Sequence, residues 1–350
     1  MSPNLQGLRE LCVSRAQRVA LMLCLSAGAF TAAPMSATSA SSTPSGSATE
    51  ASRAVVTGFA HLLFIERKPE QAFRLFSAHL IQHDAEIGDG NHGDDDFLSK
   101  RRQAHPEQFL PTDQYATVVD NILADGDLVA IKSHLYTNPH DRGRVFVDIW
   151  RIATGQFVEH WDVIQAVPER PLNGASMWCG HASNYAEARA TADTVARPTC
   201  GASGPAAHRA AALATVRAYL EMGQQPGRAA EAVRTYVAND FVQHSAHIAQ
   251  GKQALVAYFE THAAERAASG RHSELARVLA DGDLVLTHRR VTSESDPRGQ
   301  AYADLYRVRD GKVVEHWDVI QAIPAFSVAG HSMVSGPLEP QRRHAAPSAP

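Results

Sequence analysis

Residues 123–168 read LADGDLVAIKSHLYTNPHDRGRVFVDIWRIATGQFVEHWDVIQAVP, and residues 279–324 read LADGDLVLTHRRVTSESDPRGQAYADLYRVRDGKVVEHWDVIQAIP. The two stretches align without a gap. About half of their positions are identical and the block EHWDVIQA is shared unbroken, which marks a duplication at the scale of a domain. Upstream the match continues more weakly, with LIQHDAEIGDG around His83 answering FVQHSAHIAQG around His244. The first copy carries five extra residues between its two matched blocks.

Period and punctuation give the elements of one copy. In the second copy, 206–222 has helical spacing, Gln225-Pro226-Gly227 breaks it, 229–237 resumes it and 253–268 forms a third helix. Strand-like runs follow at 275–280, 284–291, 301–308 and 313–323, with Asp281-Gly282 and Asp310-Gly311 as hairpin turns. The first copy repeats this order with helices at 55–65 and 69–76, a polar third helix near 97–105, and strands to Gln165. Helices that precede a meander exclude a parallel βαβ sheet and predict an α+β cone: three helices packed in a curved antiparallel sheet that encloses a cavity. The predicted domains are 53–168 and 204–324, joined by a linker over 169–203 and followed by a Pro-rich tail over 325–350.

The first fifty residues differ in kind. Arg9, Arg15 and Arg18 precede an apolar run over 19–30 and then small residues, the order of a signal peptide, which predicts export to the periplasm or the medium. The apolar run is too short for a spanning helix, so no membrane span is expected after cleavage near Ala33 or Ala40. A Ser/Thr/Pro-rich tether over 34–52 follows. The mature chain keeps Cys179 and Cys200, which either pair in an oxidising compartment or remain free thiols. The 350 residues are 44% hydrophobic and 20% charged, with a formal net charge of -4, which excludes a nucleic-acid partner and a polybasic lipid surface.

Candidate chemistry lies on the last two strands, where side chains alternate between faces. His316, Asp318 and Ile320 share one face, and Tyr302, Asp304 and Tyr306 share one on the partner strand. A type I turn with a Gly bulge at Asp310-Gly311 sets His316 opposite Asp304 and Asp318 opposite Tyr302, and likewise His160 opposite Asp148 and Asp162 opposite Phe146. A two-residue turn shifts the pairing by one and puts Trp317 beside Asp304 instead. Aspartates buried on such a face have raised pKa values and can shuttle protons near neutral pH; alternatively Asp304 and His316 simply satisfy each other. The acidic run GDGNHGDDDF over 88–97 lacks the alternation of a calcium loop and has no counterpart in the second copy, so it reads as a solvated loop and helix N-terminus. Neither copy has a zinc ligand set, a phosphate-binding Gly loop or a G-x-S-x-G elbow, and no metal or cofactor is expected.

DGKVVEHWDVIQ, with an upstream aspartate in ADLYRV and with FVQHSAHIAQGK, resembles the SnoaL-like branch of the NTF2-like superfamily, a group of polyketide-cyclase and predicted aldol-condensation proteins. The resemblance covers nearly all of both copies. It implies a cone-shaped domain with an apolar pocket, in which an aspartate moves a proton at carbon beside a carbonyl without metal or cofactor. Carried over by position, Asp162 and Asp318 are the acid/base pair. Asp148 and Asp304 are their pocket partners, and His83 and His244 match the QH signature as oxyanion partners. His160, His316, Phe146, Tyr302, Trp150 and Tyr306 complete the pocket wall. Relatives commonly read YIQHNP where this chain has LIQHDA and FVQHSA, so the tyrosine and asparagine are absent. The expected partner is a small apolar carbonyl compound, and the two copies are expected to pair as an intramolecular pseudo-dimer.

Overall fold

In the computed structural model, which describes residues 46–180, 182–191 and 193–335, helices come first in each copy and a five-stranded sheet follows. The expected signal peptide, the first part of the tether and the tail beyond residue 335 lie outside the described residues. The first copy contains α1 (Gly46–Ala60), α2 (Pro69–Ala72), β1 (Phe76–Gln82), α3 (Gly93–Ala104), β2 (Ala116–Asp125), β3 (Leu128–Tyr136), β4 (Arg144–Ala153) and β5 (Gln156–Ala166). A short helix α4 (Tyr185–Ala190) lies between the copies. The second contains α5 (Arg209–Gln224), α6 (Ala229–Tyr236), β6 (Val237–Gln243), α7 (Gly251–Thr261), α8 (Ala263–Ala268), β7 (His272–Asp281), β8 (Leu284–Thr292), β9 (Gln300–Arg309) and β10 (Lys312–Ala322).

The sheets have identical strand orders, β1-β5-β4-β3-β2 and β6-β10-β9-β8-β7. Four strands form the expected meander. The fifth, β1 or β6, carries the QH stretch and pairs parallel with the last strand, so each sheet is mixed rather than purely antiparallel. Inside the first cone, Val56, Phe59 and Ala60 of α1 pack with Phe76, Trp150 and Phe157. In the second, Ala212 and Val216 of α5 pack with Phe241, Tyr306 and Val313. The spacing of three and four residues puts each helical set on one stripe facing the sheet.

Helix α1 begins inside the stretch read from composition as a tether. Ala and Ser do not oppose a helix when packing orders it, and three contacts fix its start. Thr49 Oγ1 accepts from the Gly126 N–H at 3.1 Å, Arg53 pairs with Asp281 at 2.7 Å, and Ser52 is buried.

Both copies sit in one structural unit and meet through the sheet faces turned away from the cones. Val147, Ile149, Trp161 and Val163 join Ala303, Leu305, Trp317 and Val319 in a single core. The contacts at its edges are reciprocal. Gln165 Oε1 accepts from the Ile320 N–H at 2.8 Å, and Gln321 Oε1 accepts from the Ile164 N–H at 2.7 Å. Arg53 reaches Asp281 as Arg209 reaches Asp125, at 2.7 Å each. The turn between β7 and β8 runs against the second copy's entry segment. There Gly282 has φ +55°, and a Cβ would stand 2.0 Å from the Gly204 carbonyl oxygen, so only glycine fits.

The stretch read as a linker is packed. Residues 173–178 (NGASMW) repeat 329–334 (AGHSMV) at the same offset as the larger blocks, so the duplication extends past both β5 and β10. Each extension crosses onto the other copy. The Leu172 N–H donates to the Ala246 carbonyl at 2.8 Å, and the Val328 N–H donates to the Ala85 carbonyl at 2.9 Å. Met177 and Met333 are buried where these arms dock. Cys179 and Cys200 form a disulfide. Beside it, buried Asp120 takes hydrogen bonds from Lys132 at 3.0 Å, His134 at 3.0 Å and Thr199 at 2.7 Å. Burial alone would raise the Asp120 pKa, but Lys132 and His134 hold it down at about 2. Among the described residues no helix is long and apolar enough to cross a membrane.

Candidate functional site

Each cone encloses a cavity, of about 380 Å³ in the first copy and about 830 Å³ in the second. Their chemistry depends on the register of the last hairpin, which differs from both alternatives drawn from the sequence. Arg309 pairs with Lys312, and Asp310 and Gly311 have φ values of 52° and 69°, so the turn has two residues in left-handed conformations. A bulge then shifts the ladder by one residue between Val313 and Glu315. As a result Asp318 faces Asp304, His316 faces Tyr306 and Ile320 faces Tyr302. The first copy does the same at Thr154-Gly155, so Asp162 faces Asp148 and His160 faces Trp150. The expected His–Asp neighbours still meet, diagonally: His316 Nε2 and His160 Nε2 each lie 3.3 Å from Oδ1 of Asp304 and Asp148. The bulge also lets Val313 and His316, three residues apart, serve the same face.

In the second copy the cavity wall includes Asp304, Asp318, His316, Tyr302, Tyr306, Tyr219, Gln243, Ser245 and Arg289. Arg289 grips Asp304 with two hydrogen bonds, Nε to Oδ2 at 2.8 Å and Nη2 to Oδ1 at 3.2 Å. Burial works against an ionised Asp304, but Arg289 and His316 outweigh it and hold its pKa well below the usual carboxylate range. Its ladder partner goes the other way. Burial raises the Asp318 pKa and the charge on Asp304 adds to that, against the pull of His316, Ser245 and His247. One oxygen of Asp318, Oδ1, has no hydrogen-bond partner. Burial also pushes the Tyr219 phenol up to about 12 and raises Tyr306 well above the ordinary phenol value, so both hydroxyls remain donors at neutral pH.

The first cavity uses the same backbone for different electrostatics. Ser133 stands where the second copy has Arg289, Trp150 where it has Tyr306 and Phe146 where it has Tyr302. The guanidinium and the two phenols are lost together. In their place Asp84 and Asp94 join Asp148, Asp162 and His160 in the wall. Burial, followed by the charges of Asp84, Asp148 and Asp94, pushes the Asp162 pKa well above its ordinary value. Burial, reinforced by Asp84 and Asp148, raises Asp94 to about 6. Burial lowers the His160 pKa, but the hydrogen bond and charge of Asp148 more than offset this and leave it raised.

Both histidine rings are oriented by the glutamine of the QH pair. The Asp84 N–H donates to Gln82 Oε1 at 3.0 Å, which identifies that atom as the acceptor, so His160 Nδ1 donates to it at 2.9 Å. The Ser245 N–H and His316 Nδ1 donate to Gln243 Oε1 in the same way, at 2.9 Å each. Nε2 is then the ring nitrogen turned toward the aspartates.

Ten of the twelve residues expected at the sites line the cavities: Asp148, Asp162, His160, Phe146 and Trp150 in one, and Asp304, Asp318, His316, Tyr302 and Tyr306 in the other. His83 and His244 do not. Each follows its glutamine along an extended chain and so points to the opposite face, where it stacks on Trp161 or Trp317 at 4.9 and 5.1 Å. There His83 bonds Glu159 Nε2 to Oε1 at 3.0 Å, and Nδ1 donates to the Ser332 carbonyl of the crossing arm at 2.7 Å. His244 makes the matching bonds to Glu315 and Ser176.

The sequence reading missed Asp84, Asp94, Gln82, Gln243, Arg289 and the tyrosine Tyr219. Arg289 was detectable as the pocket-face difference between KSH and HRR in the aligned copies. Asp94 was hidden in the acidic run read as solvated: α3 starts at Gly93, and Asp94 lines the cavity while Asp96 two residues on is exposed.

Residues 216–316 match the family described as SnoaL-like domain. No curated protein matches the chain. Among solved structures, an NTF2-like protein of unknown function from Mesorhizobium loti is 20% identical, over 33% of this chain and 96% of its own, with a TM-score of 0.29. A candidate ketosteroid isomerase from Kribbella flavida is 18% identical over 41% and 92%, with a TM-score of 0.28. An LEH-like epoxide hydrolase from M. tuberculosis is 18% identical over 32% and 84%, with a TM-score of 0.27.

Proposed function

We propose that this chain, whose second copy is a SnoaL-like domain, is an exported acid/base enzyme that moves a proton at carbon beside the carbonyl of a small, mostly apolar compound. The observation that carries the reading is the asymmetric aspartate pair of the second cavity. Asp304 is kept ionised by Arg289, while Asp318 is buried, raised in pKa and left with an unpartnered oxygen. A base with a raised pKa exists in both protonation states nearer neutral pH, which suits taking a proton from carbon and returning it. Asp318 removes the α-proton, and negative charge collects on the carbonyl oxygen. Tyr306 or Tyr219 donates a hydrogen bond to that oxygen. Asp318 then returns the proton, to the same or a neighbouring carbon in an isomerisation, or to the acceptor carbonyl's oxygen once the enolate carbon has formed the new C–C bond in an aldol-type cyclisation, with no net gain or loss.

The first cavity keeps Asp162 and Asp148 but has Ser133, Phe146 and Trp150 where the second has Arg289, Tyr302 and Tyr306, which favours reading it as a binding site. The disulfide supports export, because such bonds persist in oxidising compartments. The reciprocal contacts between the sheets support the copies standing in for the two subunits of a dimer.

The deciding experiment is carbon–deuterium exchange followed by NMR, with a panel of ketones and β-keto esters in D2O. Exchange above buffer that disappears in Asp318→Asn supports the reading. A chemically broad panel with no exchange overturns it in favour of ligand binding alone.

A further inference from the structure

The first cavity has an unbalanced charge inventory. Among the described residues five carboxyl groups line it, Glu86 and the aspartates Asp84, Asp94, Asp148 and Asp162, with His160 among them. The two arginines in its wall are engaged at the rim: Arg101 pairs with Glu86 at 3.1 Å and Arg144 with Asp141 at 3.7 Å. Asp162 is 4% exposed, yet its Oδ1 has no hydrogen-bond partner, and Oδ2 of Asp94 has none either. A buried carboxylate oxygen without a donor is costly, and ladder-paired carboxylates repel unless something positive lies between them. The second copy meets the charge part of that need internally, although its Asp318 Oδ1 is likewise unpartnered. There Arg289 supplies the positive charge to Asp304, whereas Ser133 at the corresponding position cannot.

We propose that the first cavity binds one divalent transition-metal ion through carboxylate oxygens of Asp148 and Asp162 and Nε2 of His160. One ligand atom from each of these three residues lies within 4.8 Å of the others, a spacing an ion can bridge after small rotamer changes. All three sit on adjacent strands of one sheet, a rigid platform for coordination. The imidazole is already arranged as a ligand: its Nδ1–H is held by Gln82 Oε1 at 2.9 Å, which fixes the tautomer and directs Nε2 to the carboxylates. Asp84 and Asp94 stand nearby as further oxygen donors or as acceptors for bound water. An imidazole with two carboxylates suits Mn, Fe, Co or Zn better than a softer ion. The matching trio Asp304, His316 and Asp318 is also close-set, but Arg289 already occupies its carboxylate with a fixed cation.

The test is titration of the EDTA-treated full chain with Mn2+, followed by the electron paramagnetic resonance signal of the free ion. Zn2+ competition and thermal melting are run in parallel. The expected result is one ion per chain and a rise in melting temperature on loading. Asp148→Asn, a near-isosteric change, should weaken binding about tenfold or more, and Ser133→Arg should abolish it by copying the second cavity. Circular dichroism of each variant separates lost binding from lost folding. Absence of Mn2+ and Zn2+ uptake overturns the proposal, and so does uptake unchanged in both variants, which would mark an adventitious surface site. Because the readout is metal occupancy in the first copy, it stands or falls apart from the exchange assay on the second.

Discussion

The two cavities share strand order, hairpin turn, bulge and the Gln–His–Asp–Asp arrangement, yet one carries a guanidinium and phenols while the other carries extra acids. The comparison shows how little of a site the backbone determines. A duplicated fold delivered the same aspartate pair twice, and the Ser133/Arg289 difference together with Asp84 and Asp94 sets different charge balances around it, while 146/302 and 150/306 exchange aromatic rings for phenols. A fixed cation beside one aspartate lets its neighbour alone carry the raised pKa. Without that cation, the strain spreads over Asp162 and Asp94 together.

The largest expected contrast is in activity. Asp318→Asn should lower the exchange rate by about 10²- to 10⁴-fold, the usual contribution of a positioned acid/base group, while Asp162→Asn should leave it nearly unchanged. NMR exchange rates of the two single variants check this, and equal losses would break the division between the copies.

Next is stability. Arg289→Ala strands buried Asp304 and should cost about 3–5 kcal/mol, whereas Ser133→Ala should cost almost nothing; urea melts of the two variants measure the difference. A smaller loss, about 2–4 kcal/mol, is expected on replacing Cys179 and Cys200 together by serine, because the disulfide restrains the unfolded chain. That strap follows the first copy only, so its loss should loosen the crossing arm at Met177 more than the one at Met333. Hydrogen exchange resolved along the chain reports which arm opens.

The smallest effect is a gain. In the folded chain Asp94 ionises near pH 6, above the ordinary carboxylate value. Its ionised form therefore costs nothing at pH 4, becomes increasingly unfavourable between about pH 4 and 6, and imposes its full cost above that. In EDTA, Asp94→Asn should raise the melting temperature by a few degrees (~2–4 °C for each kcal/mol) at pH 7.5 and hardly at all at pH 4. The first copy alone offers this change, since its third helix carries the acidic first turn that α7 lacks.

Much of this was written locally in the chain. The repeat, the order of helices before strands, the alternation that puts Asp304, Asp318 and their counterparts on the pocket face, and the Arg-for-Ser difference are all linear patterns, because side-chain direction follows the backbone period. Sequence alone thus determined a tandem α+β protein with two aspartates on the pocket face of each half.

Tertiary structure decided what lies opposite what. The one-residue bulge that faces Asp318 with Asp304 is set jointly by the turn and by the parallel edge strand, whose register shifts at the same place. His83 and His244 face away from the pockets by alternation after Gln82 and Gln243, but what meets them there, the arms of the opposite copy, was decided by tertiary structure. The inward turn of Asp94 and the ordering of residues 46–52 likewise depend on partners far away in sequence. Such choices are energy differences between whole packed arrangements, and a segment's own composition does not contain them.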